Sequence, residues 1–368
     1  MVRAAVFVGA HRPLEVREIE VAAPGPGELK LRMAASGVCH SDLSVQNGTL
    51  PRTDELILGH EGAGVVEEIG EGVTEFEPGD HVAISWVPQC GECFYCRREQ
   101  AYLCEVGSPP ASAGTMLDGT YRVTCAGKPM PQFLSIGTFA EYAVIPQLSA
   151  IKIDPSVDLR AAALIGCGVL TGVGAALRTA SIAEGDSVVV IGCGGVGLNV
   201  VQGAKLAGAG RIIAIDLAEG KLRMAEKLGA THVIRAGQDD AREVVMDLTE
   251  GRGADVAFEV IGQVATSELA LTLTRHGGET VLVGAAPPDA VLALPIFRGL
   301  VRYGKTLKGC YYGSANVHRD VPFLIEAYRD GRLELDSLIS RQIALDDVNE
   351  AFAVMGAADV ARSVIVYQ

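Results

Sequence analysis

An α/β protein with one β-rich domain and one doubly wound parallel sheet is predicted by three observations. The 368 residues are enough for roughly two domains at about 150 residues each. From Met1 to about Ala150, short β-rich runs are broken by Gly, Pro and Asp. From about Gly185 to Leu282, apolar runs alternate with amphipathic helical stretches, the pattern of strands joined by crossover helices.

The elements follow in order. Met1–Val8 is strand-like, and so are Gly62–Ile69 and His81–Ile84; such short strands with turn residues between them predict an antiparallel barrel or sandwich. Val188–Ile191, Arg211–Ile215, Ala254–Glu259 and Thr280–Val283 are apolar runs short enough to be buried parallel strands. Leu198–Ala207 and Leu222–Leu228 place apolar residues at helical spacing after the first two of them. Beyond about Gly313 come a helix, Pro322–Tyr328, and a closing strand, Ser363–Tyr367. There is no internal repeat and no low-complexity tract.

Composition excludes several classes. Hydrophobic residues make up 49% and charged residues 21%, which suits a large core and excludes a disordered chain, a collagen-like repeat or a mucin-like stalk. The 44 glycines imply backbone that turns tightly or approaches something closely. Acidic residues outnumber basic ones 45 to 31, and the resulting charge of −14 would repel a polyphosphate backbone, so no nucleic acid is expected as a partner. No uninterrupted apolar stretch reaches about 18 residues, so no membrane span is expected. The start lacks a basic segment, an apolar middle and a small-residue cleavage site, which predicts a cytoplasmic protein. In an exported chain the nine cysteines would suggest disulfides with one left over; in a reducing compartment they read as metal ligands.

Spacing decides between these. Cys90, Cys93, Cys96 and Cys104 form C-x2-C-x2-C-x7-C within fifteen residues. Four thiolates on one loop can surround a tetrahedral zinc ion with no position left for water, a structural site; two disulfides or an iron–sulfur cluster are the alternatives. Three further segments hold ligand-type residues: Cys39-His40-Ser41-Asp42, His60-Glu61, and Cys167 between two glycines. Singly, each suits a buried core residue or a solvated charge as well as a ligand.

The strand Val188–Ile191 leads into Gly192-Cys193-Gly194-Gly195-Val196-Gly197 and then a helix, with Asp216 nineteen residues beyond Gly197. This strand, glycine loop, helix and acidic residue together form a dinucleotide-binding fingerprint. Gly192 allows the tight turn, Gly194 lets a pyrophosphate approach, and Gly197 lets helix pack on strand. Asp216 would accept from ribose hydroxyls and repel a 2′-phosphate, so NAD is expected rather than NADP; the alternative is that Asp216 merely caps the next helix.

These segments together resemble the zinc-dependent medium-chain alcohol dehydrogenase family over nearly the whole chain. The resemblance is carried by Gly59-His60-Glu61-Gly62-Ala63-Gly64-Val65-Val66, by Gly79-Asp80-His81-Val82 and by the four-cysteine spacing. Gly114-Thr115-Met116-Leu117-Asp118-Gly119-Thr120, continued by Gly127-Lys128-Pro129, is similar to the long-loop branch that includes the liver and thiol-adduct (class III) enzymes. The resemblance implies a GroES-like catalytic domain from 1–168 and 312–368, a Rossmann domain from 169–311, and an active site in the cleft between them. It implies two zinc ions per chain. The catalytic one would be held by Cys39, His60 and Cys167, with Glu61 able to approach it and Asp42 orienting the histidine from behind. Ser41 would take the substrate's proton; the outer histidine of the family's relay is replaced here by Ser44, so the relay is shortened or water-mediated. Lys221 would touch the adenosine ribose, and His40 and Arg362 the pyrophosphate. Leu50, Trp86, Pro109 and Phe133 would line an apolar substrate channel.

The expected activity is therefore reversible hydride transfer between NAD and a primary alcohol with an aromatic or medium-length tail, giving an aldehyde or ketone. The long loop and the β-rich stretch Leu307–Tyr312 suggest a homodimer joined edge to edge. A thiol-adduct-dependent formaldehyde dehydrogenase is the rival enzyme. A zinc-ribbon binding protein would explain the four-cysteine loop alone.

Overall fold

In the computed structural model, which describes residues 2–355 and 362–368, the chain divides into two units. The first is Met1–Cys167 with Asn316–Gln368, and the second is Gly168–Ala315.

Two mostly antiparallel sheets build the first unit. Among the described residues, one has the strand order Leu56–Ile57, Val2–Phe7, Glu15–Val21, Val123–Cys125, Lys128–Pro129. The other runs Ala150–Ile153, His81–Ile84, Gly62–Ile69, Glu28–Val38, Arg362–Val366, Ile339–Ile343, and Tyr142–Pro146 also pairs with Glu28–Val38. Glu28–Val38 is the hub because its inward residues, Leu29, Leu31 and Met33, alternate with polar ones and bury against Val66, Val82, Ile84 and Ile145. A second core, with Val38, Val45, Leu58, Phe133 and Phe139, lies behind the ends of the strands that carry the ligand-type residues. The buried Glu28 takes two hydrogen bonds from Arg122, which also holds Asp118, so the loop around 118–122 is tied to this strand.

The second unit contains a six-stranded parallel sheet. Its order is His232–Arg235, Arg211–Asp216, Ser187–Ile191, Ala254–Glu259, Thr274–Leu282, Thr306–Gly309. Numbered along this unit the order is 3-2-1-4-5-6, the dinucleotide-binding arrangement, with the switch point between Ser187–Ile191 and Ala254–Glu259. All five residues of Ser187–Ile191 are buried, as a strand covered on both faces requires. The GroES-like plus Rossmann α/β fold is therefore the one adopted.

Element boundaries differ from the sequence reading in physical detail. The helix predicted from Pro322 begins at Val317, because Asn316 caps it by accepting from the His318 amide, and Pro322 lies inside it. A helix interior tolerates proline only at the cost of one backbone bond. The strand predicted from Thr280 starts at Thr274, with polar residues leading into its paired part, and the closing strand is Arg362–Val366. One helical run, Leu159–Thr179, is long and apolar enough to cross a membrane by length and composition, against the expectation of no such stretch. Of its most apolar 18-residue window, 83% is buried inside the protein, so its apolar surface serves as core. None of the nine cysteines is in a disulfide.

Candidate metal centre and dinucleotide site

The widely spaced ligand-type residues meet through strand pairing. Glu28–Val38 and Gly62–Ile69 are antiparallel with Ala35 opposite Ala63, so Cys39, just past one strand, lies beside His60 and Glu61, just before the other. Arg362 opens the strand that pairs Ser363 with Val38 and arrives at the same corner. Gly62 pairs with Ile84, and Gly166 backs onto the Ile84 carbonyl so closely that an added Cβ would lie 1.8 Å from it. That contact delivers Cys167, which sits in the π-helical turn Ile165–Val169, a geometry that recurs at functional sites.

The ligand atoms of Cys39, His60, Glu61 and Cys167 all lie within 4.8 Å of one another, and all four residues are buried. Ligands at about 2.0–2.3 Å from a common zinc ion would be separated by distances of this size. Behind them, Asp42 Oδ1 lies 3.0 Å from His60 Nδ1 and accepts from the Gly59 amide at 3.1 Å, while Oδ2 accepts from the Cys39 amide at 3.3 Å. Asp42 thus ties both ligand segments together and leaves His60 Nε2 to face the cluster. Gly59 has φ +92°, and a Cβ there would lie 2.5 Å from the Phe139 amide nitrogen, so no larger residue fits before His60. Ser41 Oγ is 4.0 Å from Cys39 Sγ.

The electrostatics suit a cation. Its hydrogen bond with Cys167 and the charges of Arg362 and His60 hold the Cys39 thiol well below the ordinary thiol range. The same hydrogen bond, together with burial, raises Cys167. Burial pushes the His60 imidazole down, but the charges of Asp42 and Cys39 outweigh it and raise the group well above its usual value. Burial pushes Glu61 up to about 7 against the pull of Arg362, whose guanidinium lies 3.1 Å from Glu61 Oε1. Two thiols, an imidazole and a carboxylate in a buried setting, braced by Asp42 and Arg362, form a donor set that fits zinc.

The second cluster is local. Cys90, Cys93, Cys96 and Cys104 also present their sulfurs within 4.8 Å of one another, with Cys90 Sγ 3.9 Å from Cys96 Sγ. Such spacings match ligands shared by one ion at about 2.3 Å and exceed the roughly 2.05 Å of a disulfide. Backbone amides of Cys90 and Cys93 donate to Cys104 Sγ and Cys90 Sγ, both at 3.4 Å, which favours thiolates.

In the second unit, Gly192 takes φ +97° and a Cβ on Gly197 would lie 1.8 Å from the Gly192 carbonyl, while nothing lies within 4 Å of one on Gly194. The helix Gly195–Leu206 starts there, capped by Gly194, with Gly195 and Val196 in its first turn. Asp216 accepts from the Cys193 amide at 2.7 Å and from the Ala218 amide at 2.9 Å, so it braces the glycine turn and the bend after its own strand; the next helix, Glu219–Leu228, has Ala218 at its start and no side-chain cap. Lys221 is partly buried on the helix Glu219–Leu228. His40 is exposed at the first position of the helix His40–Gln46, and Arg362 is buried and turned to Glu61 and the Val38 carbonyl.

Of the channel residues, Phe133 is buried and edge-on to His60, with ring centres 5.7 Å apart. Leu50 and Trp86 are half-buried against the two cores, and Pro109 is exposed on the short helix Ser108–Ala113. Ser44 is buried. Two residues escaped the sequence reading. Glu259, fully buried at the end of its strand, accepts from the Ile261 and Gly262 amides and the Thr266 hydroxyl, all at 2.8 Å, and holds the turn beside Gly192. Arg52 lies over the Phe133 ring at 5.6 Å, so this wall is not wholly apolar. A buried acid in an apolar strand was the available signal for the first; for the second it was a lone cation two residues after Leu50.

Comparison with known proteins agrees with this geometry. The alcohol dehydrogenase GroES-like domain matches residues 25–155, and the zinc-binding dehydrogenase domain matches 195–328. An alcohol dehydrogenase zinc-binding domain protein from Burkholderia ambifaria is 30% identical, covering 100% of this chain and 99% of that one, with a TM-score of 0.94. Benzyl alcohol dehydrogenase from Acinetobacter calcoaceticus is 29% identical over the same shares, also at 0.94. A structure from Sinorhizobium meliloti with NADP bound is 26% identical, covering 100% and 99%, at 0.82. The chain belongs to the zinc-binding alcohol dehydrogenase family of medium-chain oxidoreductases.

Proposed function

We propose that this protein is an NAD-dependent zinc alcohol dehydrogenase that interconverts primary aromatic or medium-chain alcohols and their aldehydes. The observation that carries the reading is the buried cluster of Cys39, His60, Glu61 and Cys167, braced by Asp42. Zinc held by Cys39, His60 and Cys167 would supply Lewis acidity toward a substrate oxygen. The chain's own residues do the rest. Asp42 fixes the His60 tautomer, Arg362 offsets the buried charge of Glu61, and Ser41, 4.0 Å from Cys39 Sγ, would relay the alcohol's proton, passing its own on toward solvent. Phe133 and the core behind it keep water from the reacting carbon. Cys90, Cys93, Cys96 and Cys104 would hold a second, structural zinc.

Asp216 favours NAD, because its carboxylate at the end of the second strand would repel a 2′-phosphate. Lys221, His40 and Arg362 are assigned to the ribose and pyrophosphate by family position. A long-loop homodimer in the cytoplasm completes the reading. The dimer alone is supported by the half-exposed edge strand Thr306–Gly309 and by Val291, Ile296, Phe297 and Val301, each more than half exposed on the same unit. A sedimentation mass of one chain would overturn the dimer.

The test of the activity is a panel of benzyl, medium-chain, allylic and polyol alcohols, and glutathione-adducted formaldehyde, assayed with NAD and with NADP. Benzyl and medium-chain alcohols with NAD are expected to give the highest kcat/KM. Leu50 and Ser108 pair with neither charged end of the adduct, and its ammonium, which the Arg52 cation would repel, is left unpaired at a cost. A preference of about tenfold for the adduct, about 1.4 kcal/mol in the transition state, would promote the thiol-dependent reading instead.

A further inference from the structure

Arg52 touches two of the four segments expected to line the substrate path and belongs to a third. It follows Leu50 by two residues, and its Nη1 donates to the Ser112 carbonyl at 2.9 Å, on the helix that carries Pro109. Its guanidinium carbon lies 5.6 Å from the centre of the Phe133 ring, and that ring meets His60 edge-on at 5.7 Å. Two ring contacts therefore connect this cation to a metal-ligand imidazole.

No carboxylate among the described residues lies within ion-pair distance of Arg52. The neighbouring Glu55 is committed to Arg17 at 3.0 Å, and Asp54 accepts from Thr53. Several other arginines of the same unit do have carboxylate partners, such as Arg122 with Glu28 and Asp118, and Arg3 with Glu141 and Asp346. This guanidinium is exposed, but a carbonyl and an aromatic face limit its freedom and leave donors for a planar anion.

We infer that Arg52 is a specificity-determining residue, placing a positive charge beside the substrate path, and that the alcohols it favours carry an anionic group at the end remote from the hydroxyl. The inference rests on the alcohol dehydrogenase reading above and narrows its substrate class. An aromatic alcohol fits best, since its ring can lie along Phe133 while a carboxylate on the far side of the ring reaches the guanidinium. The contact also gives the path a partner for a carboxylate that Leu50 and Ser108 do not supply.

The test compares kcat/KM for 4-(hydroxymethyl)benzoate and benzyl alcohol at saturating NAD, in the zinc-loaded enzyme and in its Arg52→Met and Arg52→Lys variants. The readout is the ratio of the two values, which compares substrates on the same folded enzyme and so cancels any loss of active protein. The unmodified enzyme is expected to favour the carboxylate. Arg52→Met should lower the ratio about three- to fivefold, mainly through KM of the charged alcohol, and Arg52→Lys should restore part of it. Added salt should lower the ratio in the unmodified enzyme and leave it nearly constant in Arg52→Met. A ratio that Arg52→Met does not change would overturn the inference while leaving the alcohol dehydrogenase reading intact. Reduction of NAD by neither alcohol would overturn both.

Discussion

Asp42 shows how much of this site depends on a residue outside the ligand set. It is fully buried and accepts from the Cys39 amide, the Gly59 amide and His60 Nδ1. Burial raises its carboxyl, and only the nearby His60 and the backbone donor offset that cost. Asp42→Asn keeps the shape but turns one acceptor into a donor facing the Cys39 amide. Zinc affinity, measured by competition with a chelator, should fall about 10–100-fold, the range for loss of such an orienting partner. Unchanged affinity would show that His60 is positioned without it. The pair Asp42 and His60 was legible only through the family resemblance, because the two meet through a strand register that neither segment signals. Arg52 and Glu259 were missed for a related reason: their roles arise from what the side chains pack against, and local pattern does not carry that.

At the level of elements, local spacing was most informative. The four-cysteine loop closes within fifteen residues, and the glycine turn lies between a strand and a helix whose periods differ, so both were readable without tertiary information. Helix starts set by a side-chain cap were less so, as Asn316 ahead of Val317–Arg329 illustrates. The turn after Ser187–Ile191 also carries a prediction. Asp216 braces the Cys193 amide and is proposed to meet the ribose, so Asp216→Gly combined with Leu217→Arg at the exposed next position should move cofactor preference toward NADP. The measurement is kcat/KM for each cofactor with benzyl alcohol. Lost preference accompanied by a lower overall rate is expected, since the turn loses its brace. Equal use of NAD and NADP by the unmodified protein would contradict the role given to Asp216.

For the whole molecule, the fold was legible because its two halves use different hydrophobic periods. Short alternating strands mark the first unit, and fully buried runs at 187–191, 211–216 and 254–259 mark the parallel sheet of the second. The corner where Cys39, His60, Glu61, Cys167 and Arg362 converge was not, since it is a product of antiparallel pairing across more than three hundred residues of chain. Under the proposed function this corner binds a catalytic zinc ion, distinct from a zinc that only shapes the four-cysteine loop. A structural zinc contributes on the order of 10 kcal/mol in isolated zinc peptides, so the loop metal should survive when the corner is broken. The most direct measurement is zinc per chain by elemental analysis, together with benzyl alcohol turnover, in the unmodified protein and in Cys167→Ser. Two zinc ions with turnover, falling to one zinc without turnover, is the predicted result; active enzyme with one zinc or none, or a Cys167→Ser variant that keeps both metal and activity, would contradict it.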